Sequence, residues 1–165
     1  GLAVQEALEP LAQKRDLRLK WPNDLLLDGA KCAGMLLERE DGNVVLGIGI
    51  NLASAPDIEG RRTAAFADGG QGAAFDPAAL MPDLARMFAD ALARWRGGPL
   101  GSILADWQDR AHESGAQLAV SMGPDEKLHG RYAGLAPDGA LMLEVADGSL
   151  REIRAADVEI VRERS

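Results

Sequence analysis

Two Asp-Gly pairs, Asp28-Gly29 and Asp41-Gly42, constrain this chain more than any other feature. Each is a two-residue hairpin signal, because the tightest β-turns need positive φ at their centre and these residues accept it. Each lies between runs suited to strands. Leu25-Leu26-Leu27 precedes the first, Lys31 to Glu38 joins the two, and Val44 to Leu52 follows the second. The spacing therefore predicts a meander of adjacent antiparallel strands. One more strand is expected upstream over 17–21, where Leu17 and Leu19 alternate with Arg18 and Lys20. Pro22 ends it, since proline has no ladder donor.

Helices flank this meander. Leu2, Val4, Ala7, Leu8, Leu11 and Ala12 fall near helical spacing over 2–15, with Pro10 expected to kink the helix or mark its second half. Residues 53–76 read as a loop with a short helical turn near Arg61–Phe66. Asp76 is a good N-cap and Pro77 fits a first turn. The helix they open carries Leu80, Leu84, Met87, Phe88, Ala91, Leu92 and Trp95, a stripe expected to be core. Gly97-Gly98-Pro99 stops it, and a second helix is expected over Ser102 to His112.

After Gly115 five short strands are predicted: Gln117–Met122, Lys127–Leu135, Ala140–Val145, Arg151–Arg154 and Val158–Val161. Gly-Pro-Asp, Pro-Asp-Gly and Asp-Gly turns join them. That density suggests a small SH3-like β-barrel. The expected fold class is α+β: a mixed or antiparallel sheet with packing helices in residues 1–114, followed by the barrel in 115–165.

Charge and composition exclude several roles. The 165 residues carry a formal net charge of -8, against a nucleic-acid or membrane-surface footprint. Phosphate chemistry must then rest on a few placed lysines. Cys32 is the single cysteine, so neither an intrachain disulfide nor a multi-cysteine metal site is expected. No long apolar run or targeting segment is visible, and a cytoplasmic setting is the default.

Three patches carry residues suited to chemistry. In Lys20-Trp-Pro-Asn-Asp24, Asn23 and Asp24 sit at a strand end. Asp24 can accept a hydrogen bond, orient a lysine or help hold hydrated Mg²⁺ with substrate phosphates. The plainer reading is a turn in which Asn and Asp bond their own backbone. Lys31 precedes Ala33 and Gly34, which leave room for a carboxylate or phosphate; it also fits a solvated sheet-edge lysine. In Gly47-Ile-Gly49-Ile-Asn51 two glycines share one strand face, which marks a close approach by a ligand or a neighbouring strand. Asn51 falls on that face, as an adenine-reading amide or a structural one. Cys32 reads as packing, and His112 and His129 as structural or surface residues without metal spacing.

Together, Lys20-Trp-Pro-Asn-Asp24, Lys31-x-Ala-Gly34 with Leu-Leu-Glu38, and Gly47-Ile-Gly49-Ile-Asn51 resemble the catalytic core of biotin–protein ligases, the bacterial biotin ligase/repressor family. The resemblance is strongest over 1–66, and 77–163 agree in layout. It implies a class II synthetase-like catalytic core, here incomplete, and a C-terminal SH3-like domain. It implies ATP and biotin as substrates, Mg²⁺ with ATP, and a biotin carboxyl-carrier protein as partner. Biotin is joined to a carrier lysine through biotinyl-5'-AMP. Lys31 and Asp24 become the expected catalytic residues. Lys31, Gly34, Gly47 and Gly49 become biotin-binding, and Asn23, Asn51 and Lys20 nucleotide-binding, with no dedicated metal site. The resemblance also allows a homodimer through the central sheet.

The family's ligand loop, of the form Gly-Arg-Gly-x-x-Gly-Arg-x-Trp, lies before the helix at which this sequence begins, and no DNA-binding winged helix is present in it. A truncated N-terminus is therefore expected, with little or no ligase activity from these residues alone. The alternative is a non-catalytic, ligase-derived binding or interaction module. A lipoate-type ligase is a third reading.

Overall fold

The computed structural model describes residues 1–69, 76–123 and 126–161. The expected loop over 53–76 and the Gly-Pro-Asp turn therefore lie partly outside the described residues, as does the end of the expected barrel over 115–165. The chain divides into two compact units between Gly97 and Gly98.

The first unit opens with helix α1 (Leu2–Ala12). It continues past Pro10 and stops where Gln13 and Lys14 take left-handed φ values of 50° and 73°. Four strands follow: β1 (Leu17–Lys20), β2 (Asp24–Leu27), β3 (Ala30–Glu40) and β4 (Asn43–Ile50). They form one antiparallel sheet in sequence order, as the hairpin signals predict. Asp28, Gly29, Asp41 and Gly42 all have positive φ, which is why these pairs and not β-branched residues occupy the turns. The Trp21-Pro22 peptide between β1 and β2 is cis.

Leu8 of α1 and Leu19, Leu25 and Leu27 of β1 and β2 are fully buried. Burial of each contributes about 1.5–3 kcal/mol relative to exposure. The Gln5 amide, on the buried face of α1, donates to the Leu17 carbonyl at 2.8 Å and ties helix to sheet. The far ends of β3 and β4 are exposed, including Leu36, Leu37, Val44 and Val45.

Residues 58–63 hold only isolated bridges, and the short helical turn forms later than expected, as a 3-10 turn at Phe66–Gly69. Helix α2 (Pro77–Gly97) begins as predicted, with the Asp76 carboxylate accepting from the Ala78 N–H at 2.9 Å. Its apolar stripe departs from expectation. Only Leu84 is buried, while Phe88 and Trp95 are 43% and 57% exposed. The reason is length. The helix packs mainly on α1, and a helix of 11 residues, about 16 Å long, cannot cover one of 21, about 31 Å long.

The second unit holds α3 (Leu100–Asp109) and strands β5 (Gln117–Ser121), β6 (Lys127–Leu135), β7 (Leu141–Glu144), β8 (Leu150–Ile153) and β9 (Val158–Ile160). The strands form one antiparallel sheet, ordered β8-β7-β6-β5-β9. Leu118, Val120, Leu141, Leu143 and Val158 fill its core. Gly130 is required by close packing, because a Cβ there would lie 2.5 Å from the Glu144 carbonyl. His112 is buried edge-on against Tyr132, with ring centroids 4.4 Å apart, which is the structural role expected of it. His129 is exposed.

Candidate active site

Strand register lines up four residues across the first sheet. Lys20 pairs with Asp24, Asp24 with Gly34, and Gly34 with Gly49. Directly paired residues share a face, so one row carries a cation, an anion and two bare backbone positions.

Lys31 joins this row by an irregularity. Along a regular strand, residues three apart point to opposite faces, so Lys31 and Gly34 should be separated. In β3, however, Ala33 pairs with Leu25 and Lys31 with Leu26, leaving Cys32 as an extra residue. This β-bulge returns Lys31 to the face of Asp24 and Gly34. Cys32 itself is fully buried, and desolvation pushes its thiol up to about 12. It is packing, as expected.

The outcome is an ion cluster. Lys20 Nζ lies 2.9 Å from Asp24 Oδ2, and Lys31 Nζ lies 2.5 Å from Asp24 Oδ1. The Asp24 side chain is 7% exposed, Lys20 12% and Lys31 36%. A carboxylate this buried is tolerated because it is paired on both oxygens. Two lysines against one aspartate leave the cluster one positive charge in excess, and Lys31 carries it outward.

Gly34 makes this geometry sterically open. A Cβ at that position would stand 3.1 Å from both Cε and Nζ of Lys31 and 3.4 Å from Asp24 Oδ1. A Cβ at Gly49 would meet nothing within 4 Å. The row thus passes from a charged wall to an open backbone floor. Gly47, opposite Leu36, extends the floor along β4.

The Lys31 backbone is clamped from the following loop. Its N–H donates to the Arg62 carbonyl at 2.9 Å, and its carbonyl accepts from the Ala64 N–H at 2.9 Å. The Asn51 amide donates to the carbonyls of Lys31 at 3.4 Å and Ala64 at 3.2 Å. Asn51 therefore spends its donors on structure. Asn23 is likewise engaged: its side-chain amide donates to the Met35 carbonyl, and its backbone carbonyl accepts from the Met35 N–H at 2.9 Å.

All of the sequence-nominated residues except Gly47 thus converge on one end of the sheet, with Gly47 one step along it. Among the described residues, no group of three His, Cys, Asp or Glu side chains could hold a metal. Sequence reasoning allowed Asp24 to orient a lysine without naming Lys20, and it missed the bulge. The bulge had one signal: Lys31 and Gly34 can share a face only if the strand between them is irregular.

The class this geometry defines is an α+β unit whose sheet carries a lysine–aspartate–lysine cluster beside a row of glycines, followed by a small antiparallel β unit. Both units match known protein families. Residues 1–53 match the Biotin/lipoate A/B protein ligase family, and residues 115–161 match the Biotin protein ligase C terminal domain. The biotin–[acetyl-CoA-carboxylase] ligase of Paracoccus denitrificans is 36% identical over 151 residues, covering 86% of this chain and 62% of that protein. Its namesake from Mycobacterium tuberculosis is 31% identical, covering 98% and 60%. The biotin protein ligase of Aquifex aeolicus, in its apo structure, has the same fold, with a TM-score of 0.83 at 22% identity over 98% of this chain and 72% of that one. The chain belongs to the biotin protein ligase family, and it spans about three fifths of the length of those two curated relatives.

Proposed function

We propose that this chain forms part of the catalytic domain, and the C-terminal SH3-like domain, of an ATP-dependent biotin–protein ligase. We take residues 1–114 as the catalytic part and 115–165 as the C-terminal domain, a reading supported by the second family match, which covers 115–161. The observation that carries the reading is Lys31: an ammonium held beside a buried carboxylate, over Gly34, with open backbone beyond it at Gly49.

The reaction has two steps. A biotin carboxylate oxygen attacks the α-phosphorus of ATP, forming biotinyl-5'-AMP and releasing pyrophosphate. The ε-amine of a lysine on a carboxyl-carrier protein then attacks the anhydride carbonyl, forming the amide and releasing AMP. Charge builds on the phosphoryl oxygens in the first step, and an ammonium fixed beside them lowers that barrier. Lys31 supplies it, with Asp24 orienting the ammonium. Gly34, Gly47 and Gly49 let the ligand approach the sheet. The Asn51 donors are engaged, so its carbonyl oxygen is what remains to accept from the adenine amino group. Asn23 fixes the start of β2 at the nucleotide end. Mg²⁺ would enter with ATP. Both Asp24 oxygens face ammonium groups, so the carboxylate does not fit a direct metal ligand, and no step is assigned to the ion.

The carrier protein is the macromolecular partner, and a second copy of the chain fits the outer side of β4. That strand ends the sheet order and exposes Val44 and Val45 beside Leu36 and Leu37 of β3. The net charge of -8 favours neither nucleic acid nor an anionic membrane. Among the described residues, no helix is long and apolar enough to cross a membrane. The 165 residues on their own are expected to show little or no activity, because the Gly-Arg ligand loop is not among them.

Biotin-dependent ATP–pyrophosphate exchange in the full-length protein, followed by transfer to a biotin carrier domain, tests the reading. Lys31→Ala should lower exchange by about 10²-fold or more. An unchanged rate in that variant sinks the catalytic assignment. A full-length protein that binds biotin yet forms no adenylate supports the non-catalytic module instead.

A further inference from the structure

We propose that Lys20 is the permanent counter-ion of Asp24 and Lys31 its exchangeable one, so that Lys20 is a positioning residue that frees Lys31 to meet the ligand. The inference rests on the ligase reading and assigns Lys20 a task other than direct phosphate contact.

The two lysines bind different oxygens of the same carboxylate, so either can leave without displacing the other. Their surroundings differ. Lys20 is the direct cross-strand neighbour of Asp24, and its side chain is 12% exposed. It is held in place. The Lys31 side chain is 36% exposed, and its ammonium passes over Gly34, where no Cβ confines it. Beyond it lies the open floor at Gly49.

Exchange solves a problem that a simple pair would pose. An anionic ligand must draw Lys31 away from Asp24, or share it. If Lys31 were the sole partner of Asp24, its departure would leave a buried carboxylate bare and close to an incoming anion. Such a site resists both charges. With Lys20 fixed on Oδ2, Asp24 stays neutralised while Lys31 turns outward. The wall then offers one cation to the ligand and shows it no uncompensated anion. No bond is made or broken in this step; only the partner of the Lys31 ammonium changes.

The test uses the full-length protein with biotin binding by calorimetry, biotin-dependent pyrophosphate exchange and thermal unfolding. Lys20→Met should weaken biotin binding by about tenfold, while Lys20→Arg restores most of it. Adding Asp24→Asn should cancel most of the Lys20→Met loss, because an amide needs no counter-ion. Binding measured below the melting point of each variant separates this from general destabilisation. Should Lys20→Met unfold the protein, Lys20→Gln compared with Lys20→Gln/Asp24→Asn gives the same comparison. Additive losses, or a loss confined to the KM for ATP, overturn the proposal in favour of direct phosphate contact. If the unmutated protein neither binds biotin nor exchanges pyrophosphate, the ligase reading fails first and takes this inference with it. Exchange in the unmutated protein with additive losses in the variants overturns this inference alone.

Discussion

Two ion pairs of nearly equal length sit in the two units of this chain and do different work. Lys20 and Asp24 meet at 2.9 Å on the first sheet, and Lys127 and Glu159 at 2.8 Å on the second. The first pair is 12% and 7% exposed, the second 47% and 50%. Distance is therefore a poor guide to the weight of a pair. In the exposed pair each partner can be replaced by water at little cost, and salt screens the attraction. In the buried one, water is excluded and the carboxylate depends on its two lysines. Only the buried arrangement sets two lysines against one carboxylate, and the proposed reaction would draw on that extra charge.

The strongest way to break this contrast is to remove the buried carboxylate. Asp24→Ala should destabilise the full-length protein by about 3 kcal/mol, read from urea unfolding. That is the low end for a broken buried pair, since Lys31 can turn to solvent while Lys20 cannot. A loss below about 0.5 kcal/mol, typical of a surface substitution, would mean that the cluster behaves as an exposed one.

A smaller effect sharpens the role of the floor. Gly34→Ala places a Cβ 3.1 Å from the Lys31 ammonium, which must move because it is the free end of a flexible chain. Stability should change little. Biotin affinity should fall by about tenfold, equivalent to about 1.4 kcal/mol. Gly49→Ala is the control within the same row. Its Cβ meets nothing within 4 Å, so the ion cluster stays intact and any lost affinity reports on the ligand alone. Wild-type affinity in both variants would remove the glycine row from the site.

The sequence was most readable where local chemistry decides the structure. The Asp-Gly turns, the alternation in β1 and the Asp76 cap each depend on a few adjacent residues, and each appears at its expected place. It was least readable where partners are distant. The α2 stripe announced a helix, but periodicity carries no information on how far a packing helix extends over it. Asn51 was noticed for its face, yet its bonds to the carbonyls of Lys31 and Ala64 need the fold of a loop that has no pattern of its own. The bulge at Cys32 lies between these cases. Strand and turn were both legible, but the extra residue that sends Lys31 to the working face is fixed by pairing with β2. The candidate residues were therefore nominated by type and spacing, while the reason they lie together on the sheet was not legible.

The smallest expected effect closes the contrast from the other side. Lys127 and Glu159 are linked through a sheet in which β5 lies between their strands, so the pair bridges β6 and β9 diagonally, from opposite Ser121 to opposite Ala119. A pair joining non-adjacent strands invites the view that it pins the sheet. Its exposure argues otherwise: both side chains retain about half their contact with water. Lys127→Ala and Glu159→Gln should each change unfolding free energy by less than about 0.5 kcal/mol, with a coupling that vanishes in 1 M salt. A double-mutant cycle measures that coupling directly. A salt-insensitive coupling above about 1 kcal/mol would overturn the rule drawn from the two units, because geometry would then outweigh burial. Near-zero coupling, beside a large loss at Asp24, would leave burial as the property that separates a structural decoration from a working charge.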